Sequence, residues 1–234
     1  MRNHWWWRPG WRVGRRAYTF HITFDETTVD GAPRLHRLAA DYQSRLAGMS
    51  GLDLVPLKWL HLTMQNVGFT DEVSGAEIQA VVRAARDHCV NLAPFDLSFD
   101  SLEMRSEAIA LRPSPPEPVA RLRSSLRSAI ALVRGQIPEA PEHADGFEPH
   151  VSLAYSNADG PSDSFIERIA GVPGQRATVT VLAASLIILD RDERVYRWTT
   201  YETIPLGPPT KRTGALTSTR AGASGSTHPT AEQP

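Results

Sequence analysis

One cysteine, Cys89, is all the thiol this chain carries in 234 residues. An internal disulfide and a thiolate zinc cluster are therefore excluded, and a reducing, cytoplasmic setting is the default expectation. No apolar run approaches the ~20 residues that a bilayer-spanning helix needs, so no membrane association is expected. A dominant charge is missing as well: the formal net charge is −1. That balance argues against a broad surface that coats nucleic acid and leaves room only for local sites. Hydrophobic content of 41% is ordinary, and the length allows one large or two small domains with a real core.

What is present divides into three parts. Residues 1–16 form an aromatic-basic arm, with Trp5, Trp6, Trp7 and Trp11 among five arginines. Such an arm can stack bases and contact the phosphates of a single strand. The plainer expectation, slightly favoured, is that the tryptophans fold back over the body as a flap or meet a second copy. Residues 208–234 are mostly Pro, Thr, Ser, Gly and Ala, and are expected to form a disordered tail without catalytic groups.

Between them, residues 17–207 carry the patterned sequence. Leu35, Leu38, Ala39, Tyr42 and Leu46 recur at helix spacing, as do Ile78, Val81, Val82, Ala85 and Cys89, and again Val119, Leu122, Leu126, Ile130 and Val133. A short fourth helix is predicted over Asp163–Ile169. Strand-like runs are read at Tyr18–Phe24, Leu57–Gln65, Phe95–Leu102, Ala108–Leu111, Pro149–Tyr155, Val179–Leu189 and Val195–Ile204. The order lacks the regular alternation of a parallel doubly wound sheet, so an α+β fold with largely antiparallel sheets is predicted.

The chemistry-bearing pattern is His-x-Ser/Thr. It occurs four times, at His21, His61, His150 and His228, where roughly one chance match is expected, so the flanks decide. His228 lies in the small-polar tail. The runs Leu60-His61-Leu62-Thr63-Met64 and Pro149-His150-Val151-Ser152-Leu153 each put a histidine and a hydroxyl on one strand face and apolar residues on the other. The same alternation in Tyr18–Phe24 puts Thr19, His21 and Thr23 on a polar face.

With their flanks, H-L-T-M-x-x-x-G-F at His61 and F-x-P-H-V-S-L-A-Y at Phe147, these segments resemble the 2H phosphoesterase superfamily, specifically its 2′-5′ RNA ligase-like and cyclic phosphodiesterase members. The similarity runs loosely from Tyr18 to Ile204, with the histidines 89 residues apart. Two departures stand out. Asn66-Val67 replaces the usual Phe-Leu before the glycine, and the second hydroxyl is a serine, which keeps the donor. The resemblance implies two similar lobes whose antiparallel sheets face a central groove, with helices outside and one motif strand in each lobe.

Two imidazoles suit metal-independent cleavage of a phosphodiester, one as base and one as acid, and the resemblance implies that the bond is a 2′,3′-cyclic phosphate or a 2′,5′-phosphodiester of RNA or nucleotides. In RNA end joining the same groups would run the cyclisation in reverse. The expected catalytic residues are His61 and His150, with Thr63 and Ser152 donating to non-bridging phosphate oxygens. His21, Tyr155, Arg105 and Arg197 are candidate substrate contacts, although simple alternation gives Tyr155 a core role and each arginine a surface one. A bulge would turn Tyr155 into the groove. No metal or cofactor is required, the partners are RNA ends or small nucleotides, and a monomer is expected. The competing expectation is a non-catalytic RNA- or nucleotide-binding module that uses the same groove and the tryptophan-arginine arm. A histidine metal site is a weaker alternative, since His21 would have to converge on the other two.

Overall fold

The helices form where an apolar stripe can lie against a sheet. In the computed structural model, which describes residues 1–138, 146–170 and 176–208, α1 (Ala32–Leu46) has a proline in its first turn and buries Leu35, Leu38, Ala39, Tyr42 and Leu46. A capping box opens α2 (Gly75–Cys89): the Ser74 hydroxyl accepts from the Glu77 amide, and the Glu77 carboxylate accepts from the Ser74 amide. α3 (Glu117–Arg134) stops at Gly135, where φ of 70° favours glycine. The short α4 (Asp163–Ile169) buries Phe165. All four predicted helices are present.

Among the described residues ten strands follow one another as β1 (Ala17–Thr23), β2 (Val29–Asp30), β3 (Leu52–Leu54), β4 (His61–Phe69), β5 (Phe95–Met104), β6 (Ala108–Ser114), β7 (Val151–Ser156), β8 (Ala177–Val181), β9 (Ala183–Asp190) and β10 (Arg197–Pro205). Their pairings are antiparallel. They form a four-stranded sheet in the order β10-β9-β1-β4 and a six-stranded sheet in the order β2-β8-β5-β6-β7-β3. Two of the six are very short outer strands, so each lobe is built on four long strands. The motif strand β4 ends the first sheet, and β7 of the second sheet touches it.

Two strand assignments from sequence need correction. Leu57–Gln65 is not one strand: Leu57–Trp59 is a 3₁₀ turn after Pro56, and the strand begins at His61. Proline fixes its own φ and gives no N–H to a ladder, which delays the strand. Val179–Leu189 also divides, with β8 in the six-stranded sheet and β9 in the four-stranded one. At this crossing the Thr28 carbonyl accepts from Leu182 N (2.8 Å) and Ala183 N (3.1 Å), tying it to the earlier crossing between β1 and β2. β2 and β3 are too short to show a period in the sequence.

One apolar core runs through both lobes and includes Leu62 and Met64 from β4 and Val151 and Leu153 from β7. Each is fully buried. Truncating one, as in Leu62→Ala, would cost about 2–5 kcal/mol and disturb the strand that carries His61. The expected tail, beyond Pro208, lies outside the described residues. Among the described residues no helix is long and apolar enough to cross a membrane.

Candidate active site

His61 is the first residue of β4, and His150 immediately precedes β7. Each ring is held in the same way. His61 Nδ1 donates to the carbonyl of Trp59 at 2.8 Å, and His150 Nδ1 donates to the carbonyl of Glu148 at 2.9 Å, in both cases two residues upstream. A proton fixed on Nδ1 leaves Nε2 as the nitrogen that exchanges protons. The 3₁₀ turn before β4 serves this end, because it aims the Trp59 carbonyl back at the ring.

The two strands also share an irregularity. In β4 Phe20 faces Gln65 and His21 faces Thr63, so Met64 has no partner; in β7 Ile109 faces Ala154 and Ala110 faces Ser152, so Leu153 has none. Each bulge falls three residues after its histidine and resets the alternation of side chains. In β7 it brings Tyr155 onto the face of Ser152. Gly68 has φ of 147°, and a Cβ there would meet Val73 Cγ2 at 2.8 Å, a steric reason for the motif glycine.

His61 lies in an aromatic box. The His21 ring stacks parallel beneath it, with centroids 4.5 Å apart, while Tyr196 (5.7 Å) and Trp198 (5.4 Å) stand edge-on. Trp59 closes the box against Trp198 at 4.6 Å. Burial lowers the His61 pKa to about 4, against the Trp59 carbonyl that favours the charged form, and the charges of His150 and His4 press in the same direction as burial. His21 is only 1% exposed, approaches Thr63 Oγ1 at 3.5 Å through Nε2, and is held well below its ordinary pKa, first by burial and then by His61. It is a neutral platform for His61, placed beneath that ring.

A further residue reaches the groove from the arm. His4 is buried, stacks on Tyr155 at 4.0 Å, donates from Nδ1 to Glu107 Oε2 (3.0 Å) and accepts at Nε2 from the Tyr196 hydroxyl (3.0 Å). Burial lowers its pKa to about 4, so the ring is neutral in spite of the carboxylate. Burial would raise the Glu107 pKa, but contacts from His4, Arg8 and Trp6 prevail and hold it at about 2. The arm thus folds back, and Trp5 Nε1 and Arg8 Nη2 are engaged with Asp53 (2.9 Å) and Glu107 (2.7 Å).

Arg105 spans Glu103 (3.3 Å) and Glu148 (2.8 Å), whose backbone carbonyl orients His150. Arg197 forms an exposed pair with Glu193 at 2.8 Å. Tyr196, Trp198, Trp59 and His4 were absent from the sequence reading. The i, i+2 spacing of Tyr196 and Trp198 on a predicted strand was a usable signal, because alternation puts both on one face. Nothing local marked His4. Among the described residues no group of three or more histidine, cysteine or carboxylate side chains gathers as a metal site.

Paired antiparallel sheets with matched histidine strands define a bilobal phosphoesterase fold, and solved structures share it. TT0787 of Thermus thermophilus superposes with a TM-score of 0.61 at 18% identity, over 83% of this chain and 98% of its own. E. coli LigT complexed with 3′-AMP gives 0.56 at 18% identity, over 82% and 98%; LigT complexed with NADP+ gives 0.57 at 20%, over 82% and 98%. No curated protein matches the chain by sequence. A family model described as the 2′-5′ RNA ligase superfamily matches residues 33–193, and the chain belongs to that family of 2H phosphoesterases.

Proposed function

We propose that the groove hydrolyses a phosphodiester whose leaving group is a ribose oxygen, either a 2′,3′-cyclic phosphate or a 2′,5′ linkage. The observation that carries this reading is the matched pair of imidazoles, each with Nδ1 tied to the carbonyl two residues upstream, on two strands in contact, with His150 near enough that its charge helps lower the His61 pKa. His61, neutral near pH 7, is the base. Its Nε2 takes a proton from water as the water oxygen bonds to phosphorus. His150 gives a proton from Nε2 to the departing ribose oxygen as that P–O bond breaks, leaving a phosphomonoester. Thr63 and Ser152 donate to the non-bridging oxygens. Ligation of RNA ends would use the same groups, with a 5′-hydroxyl in place of water attacking the cyclic phosphate as its P–O bond to the 3′ oxygen breaks.

The nucleotide complexes of LigT support a nucleotide substrate for this relative. The binding-module alternative draws less support, because the arm that was to supply affinity spends Trp5 and Arg8 on Asp53 and Glu107. The test is incubation with nucleoside 2′,3′-cyclic phosphates and 2′,5′-linked dinucleotides in EDTA, scoring which phosphomonoester forms. Turnover is expected with the unaltered chain. Its absence across both substrate sets, or its persistence in His61→Ala or His150→Ala, overturns the reading.

A further inference from the structure

The arm lies outside the family match, which begins at residue 33, yet it is fastened to both lobes at one end of the groove. On the six-stranded side, Arg2 N donates to Ser106 O (2.6 Å), His4 N donates to Ser156 O (2.8 Å), and Trp6 Nε1 and Arg8 Nη2 donate to Glu107 (3.0 and 2.7 Å). On the four-stranded side, Gly14 N donates to Asp192 Oδ2 (2.9 Å) and Arg15 lies over the Phe69 ring at 3.6 Å. Arg191, at the end of β9, holds the His4 and Trp6 carbonyls at 3.3 and 3.2 Å.

These anchors share one location. Ser156 is the last residue of β7 and Phe69 the last of β4; Ser106 and Glu107 join β5 to β6, and Asp192 and Tyr196 lie between β9 and β10. His61 and His150 stand at the starting ends of β4 and β7, and Tyr196 links the two regions, its hydroxyl on His4 and its ring edge-on to His61 at 5.7 Å. His4 and Arg8 are both buried and paired, so the crossing segment is part of the fold and not a loose cover. A nucleic-acid strand running the length of the groove would meet His4 and Trp5.

We propose that Met1–Arg16 is a fixed strap closing one end of the groove, with His4, wedged between Tyr155 and Tyr196, as a specificity-determining residue that limits substrates to cyclic mononucleotides and strand ends. This rests on the phosphodiesterase reading above and narrows its substrate class. A cyclic phosphate at a strand end needs room on one side of phosphorus only. An internal 2′,5′ linkage needs room on both, and the strap refuses it by steric exclusion.

The test compares initial rates on cytidine 2′,3′-cyclic phosphate with those on an RNA oligonucleotide carrying one internal 2′,5′ linkage flanked by about four nucleotides on each side. The full chain is expected to prefer the cyclic mononucleotide strongly. His4→Ala, and separately Glu107→Gln, should narrow that preference by about tenfold or more as the strap loosens. Equal rates with the full chain overturn the proposal, as does an unchanged ratio in whichever variant melts cooperatively. If the full chain turns over neither substrate, the phosphodiesterase reading has failed, and the strap is judged by tryptophan-fluorescence titration instead. Binding of cytidine 3′-monophosphate with refusal of the oligonucleotide then supports it; equal affinity, or binding of neither, overturns it.

Discussion

The His61 and His150 motifs share a local plan and differ in their surroundings. Both rings lean on a carbonyl two residues upstream, and both strands bulge three residues downstream. Yet His61 is only 7% exposed, with His21 beneath it and Tyr196 and Trp198 at its edges. His150 is half-buried at the mouth of its strand, beside the Arg105–Glu148 pair. The shared plan fixes tautomer and aim, whereas the surroundings set protonation. On the function proposed above, the dry ring, which resists positive charge, is the base, and the ring nearer solvent is the acid.

The comparison breaks most sharply if either imidazole is removed. In His61→Ala or His150→Ala, kcat/KM should fall by roughly 10²–10⁴-fold. The double variant should lose much less than the product of the two, because groups acting on one proton-transfer sequence are not independent. Additive losses in steady-state rates would show that the rings do not act as a pair. Next in size are the hydroxyls: Thr63→Val and Ser152→Ala should each lower kcat by roughly 10²-fold if they meet the non-bridging oxygens.

The motif strands, their two faces and the helices that cover them were legible in the sequence, because each rests on a local period. The division at Leu182 was not, since the run from Val179 to Leu189 has no proline or glycine and both halves are buried in different sheets. The stacked role of His21 was invisible for a related reason. Alternation placed it on the right face, but only the register of β1 against β4, with His21 opposite Thr63, puts its ring under His61. His4 lay beyond reach altogether, as its partners Glu107, Tyr155 and Tyr196 are distant in the chain.

Titration sharpens the contrast in surroundings. His4 and His61 have folded pKa values of about 4 against an ordinary 6.5. As pH falls from 6.5 to 4 the unfolded chain takes up protons that the native state refuses, so stability is full above about 6.5 and is lost toward 4. Each ring contributes up to about 3 kcal/mol of that loss. Melting temperature followed across this window should drop steeply, and His61→Asn should flatten the slope; an unchanged slope would contradict the dry environment of His61. In kinetics, the acid limb of kcat/KM should lie near 4. The limb of kcat should lie higher, because a bound phosphodiester anion beside His61 favours its protonated form.

The smallest expected effect falls on the His150 side. Arg105 is neutralised by Glu103 and Glu148, and its guanidinium steadies the segment whose carbonyl orients His150. The Glu148 carboxylate is largely exposed, so solvent screens this pair, and Arg105→Ala should cost no more than about 1 kcal/mol of stability. Acting only through the aim of a ring, the change should reduce kcat several-fold and leave KM nearly unaltered. A guanidinium that instead met the phosphate would raise KM sharply on removal, since a charge-assisted hydrogen bond to substrate would be lost. Steady-state kinetics of Arg105→Ala and Arg105→Lys therefore separate the two roles. Lysine keeps the charge for Glu148 but cannot span both carboxylates with one planar fork, so partial recovery of kcat marks a positioning residue and full recovery of KM marks a phosphate ligand.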